Sequence, residues 1–172
     1  DIPLYLNTNV SVGRKLKQLL MVVSESVPFK PVMQKLADVT GINRNYIQDY
    51  LTYMERAGMI AQLRDAVGGI RGLGKTEKVY LDNTNLIYVL APKRADIGNV
   101  RETFFMNQMR VVGDVTCSPV SDFMMDGMTF EIGGRKKGQK QISEVKDGYV
   151  VKDDIETGYA NVIPLWAFGL MY

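Results

Sequence analysis

The sequence predicts an α+β fold in which a helical first part is followed by a second part made largely of short strands. Between residues 12 and 57, apolar side chains recur at steps of three and four, which is the period of amphipathic helices. After Gly58 the apolar runs become short, and glycine-rich or Asp-Gly segments separate them, which is typical of strands and hairpins. The change of period therefore indicates helices first and a sheet later.

The composition excludes several classes of protein. The 172 residues include no histidine and only one cysteine, Cys117, so neither an internal disulfide nor a zinc site nor imidazole catalysis is expected. No targeting signal and no apolar run of membrane-spanning length is visible, and the missing initiator methionine agrees with a fragment. A cytoplasmic location without a membrane partner is therefore expected.

The first predicted domain covers residues 1–92. Helices are expected at 12–25, 30–39 and 43–57, with Pro31 in the first turn of the second helix and Gly58 capping the third. Strands at 59–63 and 78–81 follow, so the prediction is a three-helix winged helix-turn-helix domain. The side chains expected on the buried stripes of the second and third helices are Val32, Leu36, Val39, Tyr46, Ile47, Tyr50, Leu51 and Met54.

The segment between the second and third helices has the residue types of a helix-turn-helix. Ala37 is small enough for close helix packing, Gly41 suits a left-handed backbone position, and Ile42 can anchor the next helix. The candidate DNA-contacting residues on the third helix and in the wing are Arg44, Asn45, Gln48, Arg71 and Lys75. Residues 1–92 carry 11 basic and 8 acidic side chains, a net charge of only +3, so a protein partner remains an open alternative to DNA.

Residues 69–76 match the phosphate-loop pattern G-x-x-x-x-G-K-S/T letter for letter. Such a loop binds phosphate at the N-terminus of a helix, but the residues after Thr76 predict a strand. We therefore interpret the segment as a wing tip that presents Arg71 and Lys75 to a nucleic-acid backbone, and not as a nucleotide site.

The second predicted domain covers residues 93–172 and is an α/β or α+β module. A helix is expected at 97–109, and the turn Asp126-Gly127 predicts a hairpin between strands at 122–125 and 128–132. The remaining expectations are strands at 111–112, 115–117 and 148–151, a helix at 139–145 and a last element at 163–168. The apolar end of the chain, residues 163–172, is expected to pack into the core, or to serve a partner if it is exposed.

Three carboxylates of this domain are predicted to converge at the edge of the small sheet. Glu102 lies on the helix, and Asp122 and Glu131 lie on the two arms of the hairpin. Mg²⁺ takes oxygen ligands and can activate water beside a phosphodiester, so the pattern is that of a metal-dependent nuclease with Asp122 and Glu131 as ligands. Cationic residues between 135 and 140, among them Arg135, are expected to contact phosphate. Ordinary surface acids on a hairpin are the alternative.

Several segments carry a family resemblance: residues 78–83, Ser121-Asp122-Phe123, residues 130–138, Gln141-Ile142 and residues 163–169. Together they resemble the C-terminal region of bacterial AAA-type ATPases. In that family a P-loop ATPase domain is followed by a winged helix and by a module similar to PD-(D/E)XK nucleases. The resemblance implies that the ATPase domain, with its ATP site, lies outside this chain.

The resemblance also implies roles for the acids of the second domain. Glu102 corresponds to the helix acid, Asp122 to the first metal-binding Asp, and Glu131 to the acid of the (D/E)-x-K segment. The lysine of that segment is missing, because Gly133 stands two residues after Glu131. The cations that could fold back to replace it, although out of strand register, are Arg135, Lys136 and Lys137.

The sequence thus predicts the non-ATPase region of an AAA-type ATPase, acting as a binding and regulatory module for DNA or a protein partner. Its own ATPase domain is a further expected partner. One alternative is a Mg²⁺-dependent nuclease that uses Asp122 and Glu131 with a displaced Lys136 or Lys137. Another is a structural region that docks the ATPase domain or forms a homo-oligomer through residues 166–172.

Overall fold

A computed structural model of the chain describes residues 10–65 and 75–171, and the observed fold is α+β, as predicted. The helices are α1 Val10–Ser24, α2 Met33–Thr40, α3 Arg44–Arg56, α4 Thr84–Leu90 and α5 Ile97–Val112. The strands are β1 Ile60–Arg64, β2 Thr76–Leu81, β3 Thr116–Cys117, β4 Phe123–Met125, β5 Met128–Gly133, β6 Gly148–Lys152 and β7 Val162–Pro164. Short 3₁₀ helices cover Pro92–Arg94 and Leu165–Leu170. None of the helices in the described ranges has the length and apolar character needed to cross a membrane.

Within the described residues, the strands form one mixed sheet of seven strands in the order β2-β1-β3-β4-β5-β6-β7. The strands β3, β4 and β5 are antiparallel neighbours, whereas β5, β6 and β7 run parallel. The C-terminal ends of these three parallel strands therefore lie at the same edge of the sheet. Their last residues are Gly133, Lys152 and Pro164, and the register pairs Lys152 with both of the others.

The chain divides into two compact units. The first contains the described residues up to Gln62 together with Lys78–Ala95, and the second contains the outer ends of β1 and β2 together with the residues from Asp96 onward. In the second unit Arg64 of β1 pairs in parallel with Thr116 of β3. The sequence suggested a join near residue 92 because of the Pro-Lys-Arg segment, but it did not show that the hairpin ends pair with later strands.

The predicted caps around α3 are observed. At its N-terminus, Oδ1 of Asn43 accepts a hydrogen bond from the backbone N–H of Asn45 at 3.0 Å. At its C-terminal end, Gly58 has a left-handed φ of 66° and donates its N–H to the Glu55 carbonyl at 3.0 Å. Gly41 has a similar φ of 64° between α2 and α3, where a residue with a Cβ would be strained.

Several side chains of α2 and α3 are less buried than the helical period predicts. Val32, Val39 and Tyr46 are each more than half exposed, so their assignment to buried stripes is wrong. The helix α2 also starts later than expected, at Met33, which leaves Pro31 outside its first turn. A helix of two turns contacts its neighbours on one narrow side. Some of the apolar side chains that follow the helical period therefore stay exposed. The residues that are buried are Leu36, Ala37 and Thr40 in α2 and Ile47, Tyr50, Leu51 and Met54 in α3.

A cluster of phenylalanines forms the core of the second unit between α5 and the sheet. The ring of Phe105 in α5 lies 5.1 Å from that of Phe123 in β4 and 5.2 Å from that of Phe130 in β5. Phe168, from the last 3₁₀ helix, packs 4.9 Å from Phe105. Because side chains alternate along a strand, Glu131 points to the face of β5 that is turned away from α5. The opposite face of the same strand therefore holds the candidate acid.

Two predictions for the second unit are wrong and one is confirmed. Residues 111–112 form the end of α5 instead of a strand, because the helical hydrogen bonds continue to Gly113, whose N–H bonds to the Met109 carbonyl. Residues 139–145 form successive turns and no helix. The Asp126-Gly127 hairpin turn is present, with φ values of 50° and 82° between β4 and β5.

Replacing Gly41 with alanine should lower the free energy of unfolding by about 1 kcal/mol, because the left-handed backbone strains any residue with a Cβ. Apart from its chain neighbours, no described residue has a heavy atom within 4 Å of the position that a Cβ would take at Gly41, so the loss is conformational and not steric. Urea unfolding followed by circular dichroism measures it. The control is Gly41→Asn, whose side chain tolerates this backbone and should lose less; equal losses would contradict the explanation.

Candidate functional site

The first candidate site is the outer face of α3. Arg44, Asn45 and Gln48 are exposed there. Gln48 is also held in place, because its Nε2 donates a hydrogen bond to Oε1 of the buried Gln62 at 3.2 Å. Gln62 is fixed in turn by Glu55, whose carboxylate accepts its backbone N–H at 2.8 Å and its side-chain Nε2 at 2.9 Å. The exposed amide of Gln48 is therefore oriented by groups beneath it.

A row of tyrosines lies along α3 beside these residues. The rings of Tyr46 and Tyr50 lie 6.4 Å apart and those of Tyr50 and Tyr53 lie 6.3 Å apart. Burial raises the pKa of the Tyr50 hydroxyl above its ordinary value of 10.0, and the neighbouring Tyr46, Tyr53 and Asp49 raise it further. Tyr50 therefore stays neutral throughout the physiological pH range, which suits its position in the core.

The predicted wing is only partly described. Arg71 and most of the phosphate-loop pattern fall in residues 66–74, outside the described ranges. Lys75 precedes β2 with a side chain that is 72% exposed, and its Nζ lies 3.9 Å from the Glu77 carboxylate. Thr76 begins β2, so the pattern ends in a strand where a phosphate loop would need a helix N-terminus. This geometry agrees with the interpretation of the pattern as a hairpin segment.

The second candidate site lies on the face of the sheet that is turned away from α5. Glu131 is only 1% exposed there, and both of its carboxylate oxygens have partners. Oε2 accepts a hydrogen bond from the Ser121 hydroxyl at 2.5 Å, and Oε1 forms an ion pair with Nζ of Lys137. Burying a carboxylate is strongly unfavourable unless it is paired and hydrogen-bonded. These two contacts therefore allow Glu131 to stay inside the unit.

Lys137 reaches Glu131 by folding back over Gly133. A turn after β5, closed by a 2.9 Å hydrogen bond from the Lys137 N–H to the Gly134 carbonyl, reverses the chain. A Cβ on Gly133 would lie 2.6–2.7 Å from Cβ, Cγ and Cδ of Lys137, which is too close for any side chain. Glycine at position 133 thus leaves room for the lysine that contacts the acid. The other two cations named as substitutes, Arg135 and Lys136, are exposed.

Gly134 is crossed on the opposite face by Arg101 of α5. A Cβ at Gly134 would lie 3.0 Å from Nη1 of Arg101. The guanidinium is held by two acids that follow β6, with Nε 2.9 Å from Oδ2 of Asp153 and Nη2 3.4 Å from Oδ2 of Asp154. The two consecutive glycines are therefore explained by two side chains that pass over the end of β5 on its two faces.

The structure brings Asp122 close to Glu131 but not Glu102. The register of β4 and β5, extended by one residue, places Asp122 opposite Glu131, and its Oδ2 accepts the Ile132 N–H at 2.8 Å. Glu102 belongs to α5, on the Phe130 face of the sheet. In the part of the chain that the structure describes, no three Asp, Glu or Cys side chains are grouped so that they could hold a metal ion. The predicted convergence of three carboxylates is therefore not found.

Sequence reasoning missed Lys152, which ends β6 with only 8% of its surface exposed. The parallel register pairs it with Gly133, so its side chain lies on the same face of the sheet as Glu131. The prediction ended the strand at Val151 and left Lys152 in a loop. The signal that was available is alternation, because Lys152 stands two residues after the buried Val150.

The apolar end of the chain is divided between core and surface. Leu165 and Phe168 are buried, whereas Trp166, Leu170 and Met171 are exposed. The indole Nε1 of Trp166 donates a hydrogen bond to the Ile155 carbonyl at 3.2 Å. One side of this segment thus packs into the second unit, and the other side presents apolar surface.

No protein-family model, curated protein or solved structure matches the chain. The resemblance to AAA-type ATPases therefore rests on the sequence segments alone and stays a prediction. What the chain does has to be inferred from the contacts of its own residues.

Replacing Lys137 with methionine should lower the free energy of unfolding of the second unit by about 2 kcal/mol, because Glu131 loses its buried ion pair. The Lys137 side chain is 34% exposed, so the loss should be smaller than for a fully buried pair. Urea unfolding followed by the fluorescence of Trp166, the single tryptophan of the chain, measures it. Lys140→Met, at an exposed lysine of the same segment, is the control and should change little.

The variant Gly133→Ala tests the same contact from the other side. It should cause a comparable loss in the wild-type background and a much smaller one in a Lys137→Gly background, which lacks the Cβ, Cγ and Cδ atoms that the new methyl group would meet. Strictly additive losses would show that Gly133 and Lys137 do not act through one contact.

Proposed function

We propose that the chain is a DNA-binding and regulatory region of a cytoplasmic bacterial AAA-type ATPase, whose ATPase domain lies outside the chain. In this proposal residues 1–92 are a winged helix-turn-helix domain, with α2 and α3 as the motif helices and the β1-β2 hairpin as the wing. The second unit is a PD-(D/E)XK nuclease-like module without catalytic activity. The observation that carries the proposal is the set of exposed polar residues near the N-terminus of α3, namely Arg44, Asn45 and Gln48.

The outer face of α3 has the features that readout of a major groove needs. Recognition helices contact base edges with residues near their N-termini, and Arg44 and Asn45 are the first two residues of α3. Arginine can pair with guanine, and the amides of Asn45 and Gln48 can pair with adenine. Capping at both ends and a buried stripe fix the helix backbone, so little backbone entropy is lost when these side chains bind.

A non-catalytic second unit is supported by what its acids already bind. Both carboxylate oxygens of Glu131 are used, by Ser121 and by Lys137, and Oδ2 of Asp122 holds the Ile132 N–H. A Mg²⁺ site would have to break the ion pair, because the ion takes oxygen ligands in a nearly octahedral arrangement. The present contacts therefore favour a module that is kept for binding or packing.

Replacing Arg44 with alanine should weaken binding of a fluorescein-labelled duplex at least about fivefold, since a base-edge contact is worth about 1–3 kcal/mol. Fluorescence anisotropy at several salt concentrations measures both the Kd and its salt dependence. Arg14→Ala on α1 removes the same charge from another exposed position and is the matched control, with an expected change below about twofold. Lys75→Ala should instead reduce the salt dependence by about one unit of slope, as for a phosphate contact.

Equal affinities of the wild type, Arg44→Ala and Arg14→Ala would contradict DNA readout by α3. Binding that falls equally in both variants would show attraction by net charge alone. In either case the exposed face of α3 becomes a candidate surface for a protein partner, such as the ATPase domain.

A Mg²⁺-dependent nuclease is the second candidate, and the contact between Lys137 and Glu131 favours it. An amine beside the acid of the hairpin, with Asp122 alongside, reproduces the residue types of a (D/E)-x-K site although the lysine comes from a later position. Asp122 and Glu131 are the residues that would hold the ion, which would supply a Lewis acid for phosphodiester hydrolysis. Lys137 would then be free of Glu131 and able to donate to a phosphate oxygen.

Calorimetry with MgCl₂ and MnCl₂ separates the two candidates. The non-catalytic proposal predicts no saturable heat for the wild type, because the ion pair occupies the acids. A nuclease predicts binding that Asp122→Ala abolishes and that Asp126→Asn leaves intact; Asp126 is an exposed acid of the same hairpin, and asparagine tolerates its left-handed φ of 50°. Metal binding with this pattern, together with nicking of plasmid DNA, would overturn the non-catalytic proposal.

A further inference from the structure

Lys152 is a buried cation without a partner among the described residues. Only 8% of the residue is exposed, and its amine forms no hydrogen bond or ion pair with any residue in the ranges 10–65 and 75–171. Lysine is rarely buried to this degree unless it is paired, because removing the ammonium group from water is unfavourable. Among the described residues, the enclosed side-chain atoms that have no hydrogen-bond partner are Asp65 Oδ1 and Thr103 Oγ1. The amine of Lys152 is not among them, so it still reaches solvent.

Two lysines, Lys137 and Lys152, and two acids, Asp122 and Glu131, lie on the same face of the sheet. Lys152 lies beside Gly133 in the register, and the stem of Lys137 crosses over Gly133, so both lysines lie at the same edge of the same face. Glu131 is engaged by Lys137 and by a serine hydroxyl. Asp122 holds the Ile132 N–H, so neither acid on this face is bonded to the amine of Lys152.

The acids that follow Lys152 do not neutralise it. Asp153 and Asp154 are bound to the guanidinium of Arg101, which comes from α5 on the other side of the sheet. Side chains alternate along an extended chain, so Asp153 also points away from the face that carries Lys152. These two carboxylates therefore do not pair with the amine of Lys152.

We propose that this edge of the second unit binds a phosphate group, with Lys152 as the principal contact and Lys137 beside it. The site lies at the C-terminal ends of the parallel strands β5 and β6, the edge at which open sheets containing parallel strands usually bind ligands. Each ammonium carries three donors, and phosphate offers several acceptor oxygens to satisfy them. The exposed Arg135 and Lys136 on the adjacent turn add attraction for an anion.

The site is independent of the α3 face, because its residues belong to the second unit. It also needs no metal ion, since ammonium groups supply the charge. The phosphate can come from inorganic phosphate or a terminal phosphate monoester, or from the phosphodiester backbone of a nucleic acid, and all of these present the same oxygens to Lys152.

Isothermal titration calorimetry of the whole chain with inorganic phosphate, at ionic strength held constant with chloride, tests the site. The wild type should show saturable binding of one phosphate. Lys152→Met keeps the apolar stem in the core and should weaken binding at least about tenfold, as expected when a charge-assisted contact is lost. Lys140→Met removes the same charge from an exposed position and should change the Kd less than about twofold.

A second measurement uses the unaltered protein and does not depend on the folding of a variant. Acetylation by an amine-reactive reagent, followed by mass spectrometry, should be slowed at Lys152 at least about fivefold by phosphate and left unchanged at Lys140. No saturable binding by the wild type, an unchanged Kd in Lys152→Met, or an equal loss in Lys140→Met would each overturn the site.

Competition against inorganic phosphate identifies which kind of phosphate group the site binds. If the ligand is a nucleic-acid backbone, a dinucleotide without terminal phosphates should compete with inorganic phosphate. If the ligand is a phosphate monoester, a nucleoside 5′-monophosphate should compete and the dinucleotide should not. Because this readout uses Lys152 and not Arg44, it can succeed or fail independently of duplex binding by α3.

Discussion

The carboxylate of Glu131 carries a negative charge into the interior of the second unit, and much of the local structure meets the requirement to neutralise it. The neighbouring Phe130 faces the aromatic cluster under α5, so the alternation of the strand turns Glu131 to the other face. Neutralisation there comes from Lys137, which has to return over the strand that it has just left. The tight turn after β5 and the missing side chain at Gly133 both follow from that return path.

The elements that the sequence predicts well are those that depend on neighbouring residues in the chain. The caps at Asn43 and Gly58 and the turn at Asp126-Gly127 each need only a few adjacent residues with the right backbone preferences. Burial is different, because it depends on what another element covers. Val39 and Tyr46 have the correct helical spacing and remain exposed, since the described residues of the first unit do not cover them.

The candidate sites show the same difference between features set by neighbouring residues and features set by distant elements. Asp122 and Glu131 could be paired from the sequence because one hairpin joins them, and the hairpin turn fixes its own register. Glu102 was grouped with them because the sequence gives no indication of which face of the sheet α5 covers. Lys152 was missed because its position depends on the pairing of two parallel strands, which the intervening residues do not reveal.

The glycine pair at the end of β5 has a consequence for how such chains are compared. An amine lies against the Glu131 carboxylate from position 137, although strand alternation alone would give that place to position 133. Where a chain doubles back on itself, a residue several positions later can thus occupy the space beside a strand residue. Contacts of this kind are read from superposed atoms and not from aligned letters.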